Sequence, residues 1–216
     1  TGTCTSIPNN LLGSTGLTAS TPSAPGVLTF TGNADDGYWT VPLPFNFVYL
    51  NNTYNTIYVG TNTYITFGSG SNLFNPLSAS SPSLNKIFFA GGDNSWQRVS
   101  SFTSGTNYKR LRHEGTSTTS GTPGSPNMVY ELTFFNPSLT NGNPWIELLI
   151  GVQGKGNTNA SVISGLYSSS AKLADLGPYP NRGVAANQSY VMVGNSTGTS
   201  WNVMNGIPPS SVTDGL

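Results

Sequence analysis

Charge is what this chain lacks most. Only 7% of its 216 residues are Asp, Glu, Lys or Arg, against about 25% in an ordinary soluble domain. Eight basic and eight acidic side chains cancel to a formal net charge of zero. There is therefore no basic footprint for nucleic acid or for an anionic membrane. Cysteine is nearly absent as well. Cys4 stands alone, which excludes a disulfide within the chain and reads as a free thiol in a polar tail. The single imidazole, His113, is the only residue on which Ser-His-Asp chemistry could rest, and no Gly-x-Ser-x-Gly elbow surrounds any serine. No apolar run approaches the roughly 18–20 residues of a membrane-spanning helix. No signal peptide is visible, and the chain opens on Thr1 rather than Met. The expectation is that whatever preceded Thr1 has been removed.

Thr, Ser and Asn stand where charges would be, and 26 Gly and 15 Pro punctuate the chain. An aromatic content of 11% supplies large side chains to bury, which separates this composition from disorder. A polar but uncharged surface is associated with extracellular adhesins and virion proteins more than with cytosolic enzymes. The most regular stretch is 35–68. Val41, Leu43, Phe45, Phe47 and Tyr49 alternate, the period of a strand with one buried face. Pro42 and Pro44 take the opposite parity, which places this strand at a sheet edge or makes this its start. Asn51 and Asn52 supply a turn. Ile57 and Val59, then Ile65 and Phe67, continue the pattern on either side of Gly60 and Asn62. The prediction is a three-stranded meander.

These residues also carry a resemblance. The Leu43-Pro44-Phe45 core, a short turn and the run YNTIYVGTNTYITFG over 54–68 resemble the opening of nidogen-type (NIDO-like) β-sandwich domains. They are most similar to versions found in structural proteins of tailed phages, cyanophages among them. The Phe88-Phe89-Ala90 element ending at Asp93, followed by Arg110-Leu111-Arg112-His113-Glu114-Gly115, fits the same pattern. One departure stands out: Asn62-Thr63 occupies the place where the family usually has Asn-Gly, the favoured pair for a type I′ turn. The resemblance implies a non-enzymatic virion structural protein, such as a capsid decoration, tail or fibre subunit. Its partners would be other copies of itself and other virion proteins, and its location the virion or the extracellular space. The alternative is an extracellular adhesin or receptor-binding module that recognises surface glycan.

The remaining chain is read in order. Residues 1–25 form an extended arm or linker, 26–207 the folded domain, and 208–216 a tail. Val27 to Phe30 begin the first strand, with a turn at Gly32-Asn33. Residues 69–85 read as a polar loop, and 87–90 as a short buried strand. On 108–114, Tyr108, Arg110, Arg112 and Glu114 share one face, and Leu111 and His113 the other. Met128 to Phe135 and Trp145 to Gln153 form a strand pair, and strands follow at 162–167, 189–193 and 201–204. Residues 171–177 are the one place where a turn of helix is expected. The count of nine or ten short strands, spaced about 8–12 residues apart, is the signal of a single all-β antiparallel sandwich or jelly roll.

Candidate chemistry is sparse. No catalytic residue is assigned. His113 fits a polar strand with ion pairing to its neighbour better than a triad. Glu131 and Glu147 lie on adjacent strands, and a glycosidase needs two carboxylates about 5–9 Å apart; an arginine or lysine beside each would mark them as structural. Asp35 and Asp36 are the metal candidates, with Asp93-Asn94 as a second loop. Both offer the hard oxygens that calcium takes, although Asp and Asn that bond their own turns need no ion. No other cofactor is expected. Among the tryptophans, Trp96 has the most ligand-like neighbours, Asp93, Asn94 and Gln97, the residue types that hold sugar hydroxyls beside a stacked ring.

Overall fold

In a computed structural model of the chain, residues 18–20, 28–74, 78–92, 94–116, 128–153, 163–176 and 188–205 are described. They form a β-sandwich of two antiparallel sheets, each with seven strands among the described residues. Sheet B contains β2 (Thr29–Gly32), β3 (Gly37–Tyr49), β4 (Asn52–Gly60), β5 (Tyr64–Phe67) and β6 (Lys86–Gly91), a meander in chain order. β11 (Ile163–Tyr167) and β12 (Lys172–Ala174) follow beside β6. Sheet A contains β1 (Thr18–Ser20), a second meander of β7 (Ser95–Ser104), β8 (Tyr108–Thr116), β9 (Met128–Phe135) and β10 (Trp145–Gln153), then β13 (Gln188–Gly194) and β14 (Trp201–Asn205).

The alternation along β3 does what its period requires. Trp39, Val41, Leu43, Phe45, Phe47 and Tyr49 all enter the core between the sheets. They meet Ile57, Val59, Ile65 and Phe67 of the same sheet and Leu111, Tyr130, Leu132, Phe134, Ile146 and Leu148 of the other. Phe47 meets Phe134 edge-on across the sandwich at 5.2 Å between ring centroids. β2 pairs with β3 only as far as Thr40. Pro42 and Pro44 therefore fall where β3 has no described neighbour on its outer side, and the β3–β4 register shifts between Pro42 and Phe47. Proline's missing amide costs no ladder bond at such a position.

The first turn sits one residue earlier than expected. Tyr49 pairs with Asn52, so Leu50 and Asn51 form the two-residue loop, with φ of 51° and 60°. Left-handed backbone at both loop positions is the type I′ pattern that matches strand twist. A leucine there is unfavourable, and docking onto the β13–β14 turn offsets the cost. The Leu50 amide donates to the Gly198 carbonyl at 3.0 Å, and the Asn51 amide to the Thr197 carbonyl at 2.8 Å. Gly198 has φ 63°, and a Cβ there would lie 2.8 Å from the Val48 carbonyl and 2.9 Å from Tyr49 Cα. Gly198→Ala is therefore expected to cost about 1–3 kcal/mol, seen as a lower urea midpoint. An unchanged midpoint would contradict this docking.

Three local expectations are corrected, and one strand is added. Residues 172–174 form strand β12, not a turn of helix: the Ser168 amide bonds the Ala171 carbonyl at 2.8 Å, closing a tight hairpin against β11. β7 is a ten-residue strand that the sequence hides, because its Ser- and Thr-rich run offers Val99 as the clear core residue. Residues 69–74 and 78–84 are polar in composition yet lie against the outer face of sheet B. There Tyr64, Phe88 and Tyr167 form a second cluster with Ala79 and Ile163. The Tyr64 hydroxyl donates to the Leu73 carbonyl at 2.7 Å. A Cβ on Gly70 would lie 2.2 Å from the Tyr38 ring, so a larger residue there would have to push that ring aside. Part of the expected arm, Thr18–Ser20, adds a strand to the edge of sheet A beside β7. The rest of the arm, Cys4 and the 208–216 tail lie outside the described residues.

Candidate functional site

Two groups of sequence-nominated residues take defined places. The first lies where the β2–β3 loop, the β4–β5 turn and the start of β7 meet. Asn33 Oδ1 accepts from the amides of Asp35 and Asp36 at 2.9 and 2.8 Å, an Asx turn that holds the loop. Asp36 Oδ1 accepts from Asn62 Nδ2 at 2.9 Å. Asn62 Oδ1 in turn accepts the Asn94 amide at 2.9 Å, and Asn94 Nδ2 donates to Thr63 Oγ1 at 2.8 Å. Thr61 Oγ1 accepts the Gly37 amide and donates to the Asp35 carbonyl at 2.6 Å. Ser95 Oγ closes the ring of contacts on the Ala34 carbonyl at 3.0 Å.

The structure thus brings Asp35, Asp36 and Asn94 into one cluster. Its hub is the buried Thr61-Asn62-Thr63 turn, legible in the sequence as a turn but not as part of a site. Thr63 holds φ 66°. A β-branched residue is strained there, and the Asn94 bond is what its side chain supplies in return. Asn94 is buried with its amide engaged by Thr63. Asp93 and the side chains of Trp96 and Gln97 lie outside the described residues. Among the described residues, no group of three or more His, Cys, Asp or Glu gathers for a metal ion. Chemically, the Asp36 carboxylate works here as an acceptor that ties two turns together.

The second group lies on sheet A. Leu111 packs into the core, and His113 meets the Phe89 ring edge-on at 4.8 Å between centroids. Arg110, Arg112 and Glu114 take the opposite face of β8, as the alternation requires. Each then finds a partner on a neighbouring strand. Glu114 is held by both Nε and Nη2 of Arg98 on β7. Arg112 grips Glu131 Oε1 with Nε at 2.9 Å and Nη2 at 2.6 Å. Arg110 donates Nε to Thr133 Oγ1 at 3.1 Å and reaches Glu147 with Nη2 at 3.7 Å.

Glu131 and Glu147 are not directly opposed, since Glu131 pairs with Leu149 and Glu147 with Thr133. Each has its own arginine, the arrangement that marks a structural role rather than a shared-proton pair. Arg110, Glu131 and Glu147 are buried although they sit on the face turned away from sheet B. His113 is fully buried, and that burial pulls its imidazole down to about 3 from 6.5, so it stays neutral near neutral pH.

A third group carried no motif. Lys86 opens β6 fully buried, and burial lowers its amine to about 8. The run Ile87-Phe88-Phe89 beside it, buried on both parities, was the available signal that both faces of this strand are covered. Compared with known proteins, the chain matches no family model, no curated protein and no solved structure.

Proposed function

We propose that this chain is a non-enzymatic structural subunit of a virion, a capsid decoration, tail or fibre component that works by assembling with other copies and other virion proteins. The observation that supports it is the use to which the few chemistry-bearing side chains are put. Glu114, Glu131 and Glu147 each hold an arginine, and His113 is neutral inside the core. General acid–base catalysis needs groups that can reach a substrate and exchange a proton with it. The likeness of the 35–68 and 108–115 stretches to nidogen-type domains of phage structural proteins supplies the setting. The neutral, hydroxyl- and amide-rich composition suits subunit contacts that do not depend on salt.

Light scattering at rising concentration, with and without EDTA, tests this reading. A defined trimer, ring or filament is the expected result. Loss of that assembly in EDTA would assign calcium to the Asp35-Asp36 cluster, where the ion would compete with Asn62 for Asp36. A monomer at every concentration, in both buffers, would contradict the structural reading.

A second reading, a glycan-binding adhesin, is favoured by one feature. Tyr38 and Tyr58 form a half-buried edge-on pair on the outer face of sheet B, 5.9 Å between centroids, with Thr40 and Thr56 beside them on the same two strands. Aromatic rings with hydroxyl neighbours suit neutral sugars. Binding on a glycan array that Tyr58→Ala abolishes would favour this reading over the first.

A further inference from the structure

Lys86 presents a problem that its surroundings solve in an unusual way. Its ammonium is fully buried, and such a group is strongly disfavoured unless it is paired or hydrogen-bonded. Among the described residues no carboxylate pairs with it. Four backbone carbonyls converge on Nζ instead: Ala79 at 2.7 Å, Pro82 at 2.8 Å, Ser168 at 3.2 Å and Leu84 at 3.3 Å. An ammonium has three protons to donate and no acceptor, so four carbonyl dipoles more than satisfy it. The faces of Phe88 and Tyr167 close the remaining sides, at 5.9 and 5.8 Å to the centroids, within range of a cation–π attraction. Three of the carbonyls belong to the chain between Ser78 and Asn85, and the fourth to the turn after β11. Carbonyl dipoles with aromatic faces make a receptor for a positively charged nitrogen.

We propose that the carbonyls of Ala79, Pro82, Leu84 and Ser168, with the Phe88 and Tyr167 rings, form a binding site for a primary ammonium group, which the chain fills with its own Lys86 to strap residues 78–84 onto sheet B. The tether fixes the occupant at high effective concentration, so the strap needs no external ion. Apart from Ala79 packed against the Tyr64, Phe88 and Tyr167 cluster and the buried Pro82, the polar contacts of this segment are few. The residues from Ser78 to Leu84 carry no charged side chain, and between them Ser78 and Ser81 exchange the two backbone bonds of a single bridge. Nearby, Lys172 faces the other partner of this cluster, lying 5.6 Å from the Tyr167 centroid while paired to Asp175 at 2.6 Å. It is half-exposed and does not enter the cage.

Chemical rescue tests the assignment. Lys86→Ala should lower the melting temperature and speed hydrogen exchange at the Ser78 and Ser81 amides by roughly tenfold or more, with β9 and β10 unaffected. Propylammonium chloride at millimolar concentration should restore both readouts, whereas 1-propanol and sodium chloride should not. Rescue by propanol to the same degree, or no rescue by propylammonium, would overturn the proposal. The wild-type protein provides a second test that needs no variant. Acetylation by an N-hydroxysuccinimide ester, read by mass spectrometry, should modify Lys172 roughly tenfold or more faster than Lys86 while the fold is intact. Equal rates at the two lysines would show that the cage does not hold the amine.

Discussion

Replacing Arg112 by methionine is expected to cost about 3–5 kcal/mol of folding stability. Glu131 is fully buried, and Arg112 bonds its carboxylate twice. Removing the guanidinium leaves a charge in a site where water cannot reach it, and an uncompensated buried charge is costlier than the pair was favourable. The double variant Arg112→Met with Glu131→Leu should recover most of the loss, because an apolar pair of similar volume is often neutral relative to a buried ion pair. Urea unfolding of the two single variants and the double variant closes the cycle. A single-variant cost below about 1 kcal/mol would mean that Glu131 is hydrated, since exposed pairs contribute no more than that.

Acid is expected to unfold the protein through His113 before its carboxylates are fully protonated. The imidazole is neutral in the folded chain down to about 3, whereas in the unfolded chain it takes up a proton near 6.5. Between those values the unfolded state binds the extra proton, so stability falls as pH falls. The loss begins near pH 6.5 and reaches about 4 kcal/mol as pH approaches 3, taking about 1.4 kcal/mol for each pH unit of the window. Val99 and Tyr130 flank it in the neighbouring strand registers, and Phe89 meets it from the other sheet. None of these three can supply a negative charge to receive the proton. Comparing the stability of wild type and His113→Leu between pH 7 and 4 isolates the effect from the carboxylates. Parallel curves would show that the imidazole is not held neutral.

The parts of the fold that were legible are those where apolar side chains recur at alternate positions along a strand. The β3–β5 meander announced itself because Val41, Phe47, Ile57 and Ile65 recur at the strand period. The opposite faces of β8 likewise followed from Leu111 and His113 against Arg110 and Arg112. β7 was illegible because its apolar residues, Trp96, Val99 and Phe102, fall at every third position among Ser, Thr, Gln and Arg, so there was no strand period to detect. The cover over sheet B was missed for a related reason. Tyr64, Thr66 and Lys86 occupy the parity that would be exposed in a two-layer sandwich, and only the packing of 69–74 and 78–84 makes that face a second interior.

The polar clusters lay further from reach. Asp35, Asp36 and Asn94 were nominated as oxygen donors, and the structure does bring them together, but their hub at Asn62 depends on three loops meeting in space. Nothing local distinguishes an Asn that caps its own turn from one that joins two others. The Glu131–Glu147 pair was nominated from strand adjacency, and the register decided it. With Glu131 beside Leu149 and Glu147 beside Thr133, each carboxylate turns to an arginine of β8.

Whether those arginines hold their carboxylates in solution is the point on which the non-enzymatic reading depends, and it is measurable in the unmodified protein. Nuclear magnetic resonance of the arginine Nε–H groups at neutral pH reports it directly. The account predicts slow-exchanging Nε–H signals for Arg110 and Arg112, donated to Thr133 and Glu131, persisting roughly a hundredfold longer than that of a solvent-exposed guanidinium. Exchange of the Arg112 Nε–H at the rate of a free guanidinium would release Glu131 from its partner and reopen the acid–base reading of that carboxylate.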